Sequence, residues 1–216
     1  MFKKTIAIQD TTLDKSLETA GREPMLPRGS ALITTSGNLY SKGMKAIINA
    51  ATGAMTKSGG IFEPTETSIA NSIKNSFTLM SVNGYNKIAV PFIGGKIFIS
   101  RIGVTANALA KCIIDACFKA NSDGSQFVLV IHGTHDYNIF KQEINTNYPA
   151  INYSKVLKEG SILDFSLHQC DTIMNAANME VKFGGGLSGI IANATGEQVK
   201  IDAEALAAIK QFWKAQ

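Results

Sequence analysis

The chain has 216 residues, 45% hydrophobic and 18% charged, with a net charge of +4. That supplies one sizeable core in one domain, and the mild positive charge suits an anionic ligand without forming a nucleic-acid stripe. The three cysteines, Cys112, Cys117 and Cys170, give no paired framework. They read as reduced thiols in or near a core, which points to a reducing, cytoplasmic compartment. The apolar run after Phe2-Lys3-Lys4 is too short for a signal peptide or a membrane span.

In chain order, residues 2–9 read as a short strand at a sheet edge. The second half of 10–29, with Pro24, Pro27 and Gly29, reads as loop. Residues 31–35 form a strand broken by Ser36-Gly37-Asn38, and 46–51 form a second, fully buried one. The glycine-, serine- and proline-bearing segment 52–64 reads as a surface loop. Ile69, Ile73, Phe77 and Met80 recur at helical spacing across 67–83, and Gly84 ends that helix. A buried strand over 87–93 leads to Gly94-Gly95. The next helix, 103–119, carries Val104, Ala108, Cys112 and Ile113 on one face. Residues 127–131 (FVLVI) form a third apolar strand, and 136–145 a short helix carrying Tyr137, Phe140 and Ile144. Residues 146–154 connect into a strand over 155–162, and 202–214 are helical, burying Leu206, Ile209 and Phe212 or Trp213. Strands alternating with helices predict an α/β layer structure on a mainly parallel or mixed sheet. The echo between INAA at 48–51 and MNAA at 174–177 is too short to count as a repeat.

The densest signal is 159–196. An apolar strand, 172–177, ends in Asn175 and Asn178; Gly184, Gly185 and Gly186 follow, and a helix begins at Leu187-Ser188. A glycine loop between a buried strand and a helix start can hold phosphate, because bare N–H groups and the positive helix end face the anion. Glycines also serve purely conformational ends, and asparagines satisfy turn backbone. Two asparagines three apart, just ahead of three glycines, favour ligand contact, most of all at Asn178. His132 and His135 lie three apart at a strand end, and no third metal ligand is placed beside them.

Asn175-Ala176-Ala177-Asn178, followed by the glycine run and preceded by Gly160-Ser161-Ile162, resembles the macro domain family of ADP-ribose-binding modules. Gly29-Ser30-Ala31-Leu32-Ile33-Thr34 resembles that family's G-x-A-x-x-T strand, and 45–50 the strand after it. Residues 88–98 resemble its I-A-F-P strand and second phosphate loop, and 127–137 its last strand and the acidic-Tyr start of its last helix. The resemblance covers most of 29–214 in rotated order, second half first, with 146–154 joining the old ends. It implies a circularly permuted domain over 29–216 with a three-layer α/β/α fold and a mixed central sheet, preceded by a 1–28 strand and loop extension.

The resemblance further implies a ligand cleft formed by Ser161, Ile162, Asn175, Asn178, Gly184, Gly185, Gly186, Leu187 and Ser188, by Gly94, Gly95, Lys96, Ile97 and Phe98, and by His132. His132 stands where the family packs an aromatic residue on adenine; a histidine capping the strand end is the plainer reading. Three departures matter. Ser161 replaces the aspartate that meets the adenine amino group, Ser188 replaces the aspartate of the hydrolytic branch, and Lys96 replaces a loop glycine. The expected function is binding of ADP-ribose, free or on a modified protein, with weak hydrolysis at most. Asn178 is the candidate catalytic residue, Glu63 or Glu66 is a candidate substitute base, and no cofactor or metal is implied. The other functions open to this chain are an ADP-ribosyl or O-acyl-ADP-ribose hydrolase, and a nucleic-acid or poly(ADP-ribose) surface binder.

Overall fold

Strands of β-branched and other apolar residues, buried on both faces, build a central sheet. The computed structural model describes residues 6–7, 26–55, 61–62, 64–95, 99, 103–179, 181 and 183–213. Its strands are β1 (Ile6–Ala7), β2 (Ser30–Thr35), β3 (Ala46–Met55), β4 (Ile61–Phe62), β5 (Ile88–Val90), β6 (Phe127–Ile131), β7 (Leu157–Glu159) and β8 (Thr172–Asn178). They lie in the order β1-β2-β3-β8-β5-β6-β7, with β4 paired to the far end of β3. The pairs from β3 through β8, β5 and β6 to β7 are parallel. β1, β2 and β4 join antiparallel, which makes the sheet mixed.

The helices are α1 (Glu66–Val82), α2 (Ala106–Ala120), α3 (Thr134–Asn147), the short α4 (Tyr153–Val156) and α5 (Phe165–His168), α6 (Gly186–Thr195) and α7 (Glu197–Trp213). α1 starts on a capping box: Ser68 N–H donates to Thr65 Oγ1 at 3.0 Å, and Thr65 N–H donates to Ser68 Oγ at 2.8 Å. Alternation along the strands sends Ile48, Met174, Val90 and Leu129 to one face, where they meet Ile69, Ile73 and Phe77 of α1, Leu109 and Ile113 of α2, and Phe140 and Ile144 of α3. Ile47, Ile173, Ala89 and Val128 point the other way, onto Ile191 of α6, Val199 of α7 and Leu39 of a 3-10 helix (Gly37–Lys42). The result is three layers, α/β/α.

Several boundaries differ from the sequence reading. β3 runs on to Met55 and turns back as β4, so part of 52–64 is paired sheet. β5 stops at Val90 because Pro91 has no N–H to continue the ladder. The strand expected over 155–162 is only Leu157–Glu159, after a helical turn capped by Asn152. α2 buries Leu109, Ile113 and Cys117, whereas Val104, Ala108 and Cys112 are half-buried at its margin. α3 begins two residues early, and α7 begins at Glu197, directly after the Gly196 cap of α6. The side chains of Ile209, Phe212 and Trp213 lie outside the described residues.

The segment joining α3 to β7 is held firmly. Tyr148 stacks on Phe118 of α2 with ring centroids 4.2 Å apart, and its hydroxyl donates to Asp115 at 2.9 Å. At the opposite edge of the sheet from the helix starts, the Asp171 carboxylate accepts the N–H groups of Asn86 and Lys87, tying the start of β5 to that of β8. Among the described residues, no helix is long and apolar enough to cross a membrane.

Candidate functional site

Adjacent parallel strands in an α/β sheet open a crevice where the helices that follow them lie on opposite faces. β5 leads to α2 on one face, and β8 leads to α6 on the other. Their ladder is short: Ile88 pairs with Thr172 and Ala89 with Ile173, and no pairing continues beyond. β8 itself continues along β3 as far as Asn178. The ladder between β8 and β5 therefore has a gap at the last residues of β8 and the turn after β5. Gly94 and Gly95 lie in the turn after β5, and the loop to α6 follows β8.

Gly184, Gly185 and Gly186 are exposed, and a Cβ at any of them would meet nothing within 4 Å. Gly185 caps α6 without a side-chain hydrogen bond, unlike Thr65 on α1 and Thr105 on α2. The first N–H groups of α6 have no intrahelical partners, and the glycines that lead into the helix are exposed. Gly186 has φ +62°, in the left-handed region where glycine is favoured. Gly189, which the sequence reading passed over, lets the loop lie close: a Cβ there would come within 2.5 Å of the Gly184 carbonyl oxygen. A glycine one turn inside a predicted helix start was the available signal.

The other expected residues fall in distinct settings. Asn178 is half-buried at the end of β8, register partner of Gly53 beyond a bulge in β3. Asn175 is 1% exposed; its Nδ2 donates to Asn49 Oδ1 at 2.9 Å and to Ser188 Oγ at 3.2 Å. Leu187 is half-buried and Ser188 buried in the first turn of α6. Gly94 is buried with φ +77°, and Gly95 is half-buried. Ser161 is exposed, its hydroxyl accepting the Leu163 N–H at 3.2 Å. The Ile162 side chain belongs to the core, and its carbonyl is engaged by the His168 ring. His132 is exposed at the end of β6. Lys96, Ile97, Phe98 and Glu63 lie outside the described residues, and Glu66 is exposed at the start of α1.

Burial pushes the Cys112 thiol up to about 11 and that of Cys170 to about 12, with Cys117 raised further still. None is a thiolate at neutral pH. No group of three metal-ligating side chains assembles among the described residues, His132 and His135 included. A groove of about 720 Å³ between α1 and α2, lined by Lys74, Lys119 and Gln126 among others, lies toward the C-terminal ends of those helices, away from the glycine loops.

His168 supports the backbone beneath Ser161. Its Nδ1 accepts the Cys170 N–H at 3.0 Å, so Nε2 carries the proton and donates to the Ile162 carbonyl at 3.0 Å. Burial holds its pKa below the ordinary 6.5, against opposing contributions from that hydrogen bond and from Asp164. The unfolded chain therefore takes up the proton first as pH falls. The contribution to stability is complete above the unfolded value near 6.5 and is lost as pH drops from there through the folded value. Thermal unfolding followed from neutral to mildly acidic pH should show this decline, and His168→Gln should reduce it.

Comparison with protein-family models and with curated proteins finds no match to this chain.

Proposed function

We propose that this chain is a circularly permuted relative of macro domains that binds ADP-ribose, free or attached to protein, across the gap between β5 and β8. The observation that supports it most is the adjacency of those two parallel strands: the loops that resemble the family's two phosphate loops leave the same sheet edge on either side of one gap. Two glycine-bearing loops on neighbouring parallel strands and the start of α6 suit a diphosphate, whose charge is met by N–H groups and the helix dipole. Asn178, at the rim, can orient a ribose hydroxyl or a water but cannot take up a proton.

Catalysis is expected to be weak. The hydrolytic carboxylate is replaced by Ser188, which is already bonded to Asn175, and no histidine stands beside it to activate the hydroxyl. Loss of a positioned base costs ~10²–10⁴ in rate. Titration calorimetry with ADP-ribose, AMP and a short oligonucleotide tests the reading. ADP-ribose should bind more tightly than AMP, and the oligonucleotide weakly or not at all. Tight oligonucleotide binding without ADP-ribose binding would replace the proposal with a nucleic-acid surface. Multiple-turnover removal of ADP-ribose from a modified protein at ordinary enzymatic rates would replace the binder with a hydrolase.

A further inference from the structure

The sheet face beneath α6 carries two polar side chains that packing alone does not call for. Asn49 on β3 and Asn175 on β8 are register partners, 0% and 1% exposed, on the face that otherwise presents Ile47 and Ile173 to Ile191. Asn175 uses both amide protons inside the protein, on Asn49 Oδ1 and on Ser188 Oγ. Asn49 Nδ2 and Asn175 Oδ1 have no hydrogen-bond partner among the described residues. Buried polar atoms without partners are costly, and apolar residues of similar volume remove that cost. Unpaired buried groups in a folded protein call for a reason beyond stability.

Ser188 is in the first turn of α6, and the carbonyl of Gly184 lies close against Gly189 beside it. The two asparagines therefore tether the helix start, and with it the glycine loop, to two central strands. Because Asn175 Nδ2 occupies an acceptor site on Ser188 Oγ, the serine O–H is left to donate. A side chain 1% exposed with both protons engaged is poorly suited to contact a ligand itself.

We infer that Asn49 and Asn175 are positioning residues of the phosphate loop, holding the first turn of α6 so that its N–H groups and the Ser188 hydroxyl all present donors to a diphosphate. This rests on the ADP-ribose reading and adds to it the source of the preference for the diphosphate over the nucleoside. The test is the double variant Asn49→Val with Asn175→Val, with Asn49→Val alone beside it. Each is measured for thermal unfolding and for affinity toward ADP-ribose and toward adenosine. The double variant should unfold no earlier than wild type, bind ADP-ribose at least about tenfold more weakly, and keep adenosine affinity within about twofold. Asn49→Val should show a smaller loss in the same direction. Unchanged ADP-ribose affinity in either folded variant overturns the inference and leaves the binding reading standing. A parallel fall in both affinities and in unfolding temperature, or failure to fold, makes the pair structural and overturns it as well. A wild type that does not bind ADP-ribose overturns both readings.

Discussion

Replacing Gly185 with valine should abolish ADP-ribose binding, lowering affinity by at least ~100-fold, while leaving the fold intact. Gly185 has φ −83° and ψ −173°, extended backbone that any residue adopts, and its Cβ would meet nothing within 4 Å. The valine fits without a clash, although it is a poorer N-cap than glycine, so the cost to the folded protein is about 1 kcal/mol, or about 2–4 °C in unfolding temperature for a chain of this size. Its branched side chain would fill the open space in front of the N–H groups of α6. Gly186 is a poorer probe, since φ +62° would strain any replacement and mix a folding defect with a binding defect. Titration of folded Gly185→Val decides the matter, and retained affinity would remove the loop from the site.

The largest effect on stability is expected at Gly37, where the 3-10 helix begins. Its φ is +52°, and a Cβ there would lie 2.1 Å from the carbonyl oxygen of Thr195, in the last turn of α6. A methyl group cannot occupy that space unless one backbone moves away from the other. Strain and lost packing should destabilise Gly37→Ala by about 2–4 kcal/mol, lowering the unfolding temperature by roughly 4–16 °C. Gly84 offers the contrast: it too has a positive φ, +78°, but its Cβ would meet nothing within 4 Å, so Gly84→Ala isolates the backbone strain. Equal unfolding temperatures for the two variants would show that the close approach to Thr195 is unimportant.

The layers were legible because their signals are local. The apolar run of β6 and the spacing of Ile69, Ile73 and Phe77 each point to one kind of element whatever the rest of the chain does. The glycine run after β8 was legible for the same reason, since strand, loop and helix start are consecutive. What stayed hidden depends on neighbours distant in sequence. Asn49 looks like a single polar residue in an apolar strand, and only the parallel register with β8 turns it into a partner of Asn175. The echo of INAA and MNAA has a structural counterpart in that register, Ile48 to Ala51 lying beside Met174 to Ala177. β4 is two residues long, too short for alternation to register. The strand over 155–162 was overread because Val156, Leu157 and Ile162 are all apolar, although a helical turn and the bend at Gly160 leave only Leu157–Glu159 extended.

The claim that two glycine loops hold one diphosphate is tested most directly by the backbone amide signals of Gly94, Gly95, Gly184, Gly185 and Gly186. These are followed by nuclear magnetic resonance as ADP-ribose is added to the wild-type protein. Amides from both loops should shift together and saturate along one binding curve, because both lie against the same ligand. Shifts confined to one loop, shifts in the α1–α2 groove around Lys74 and Lys119, or no shifts at all would contradict the claim.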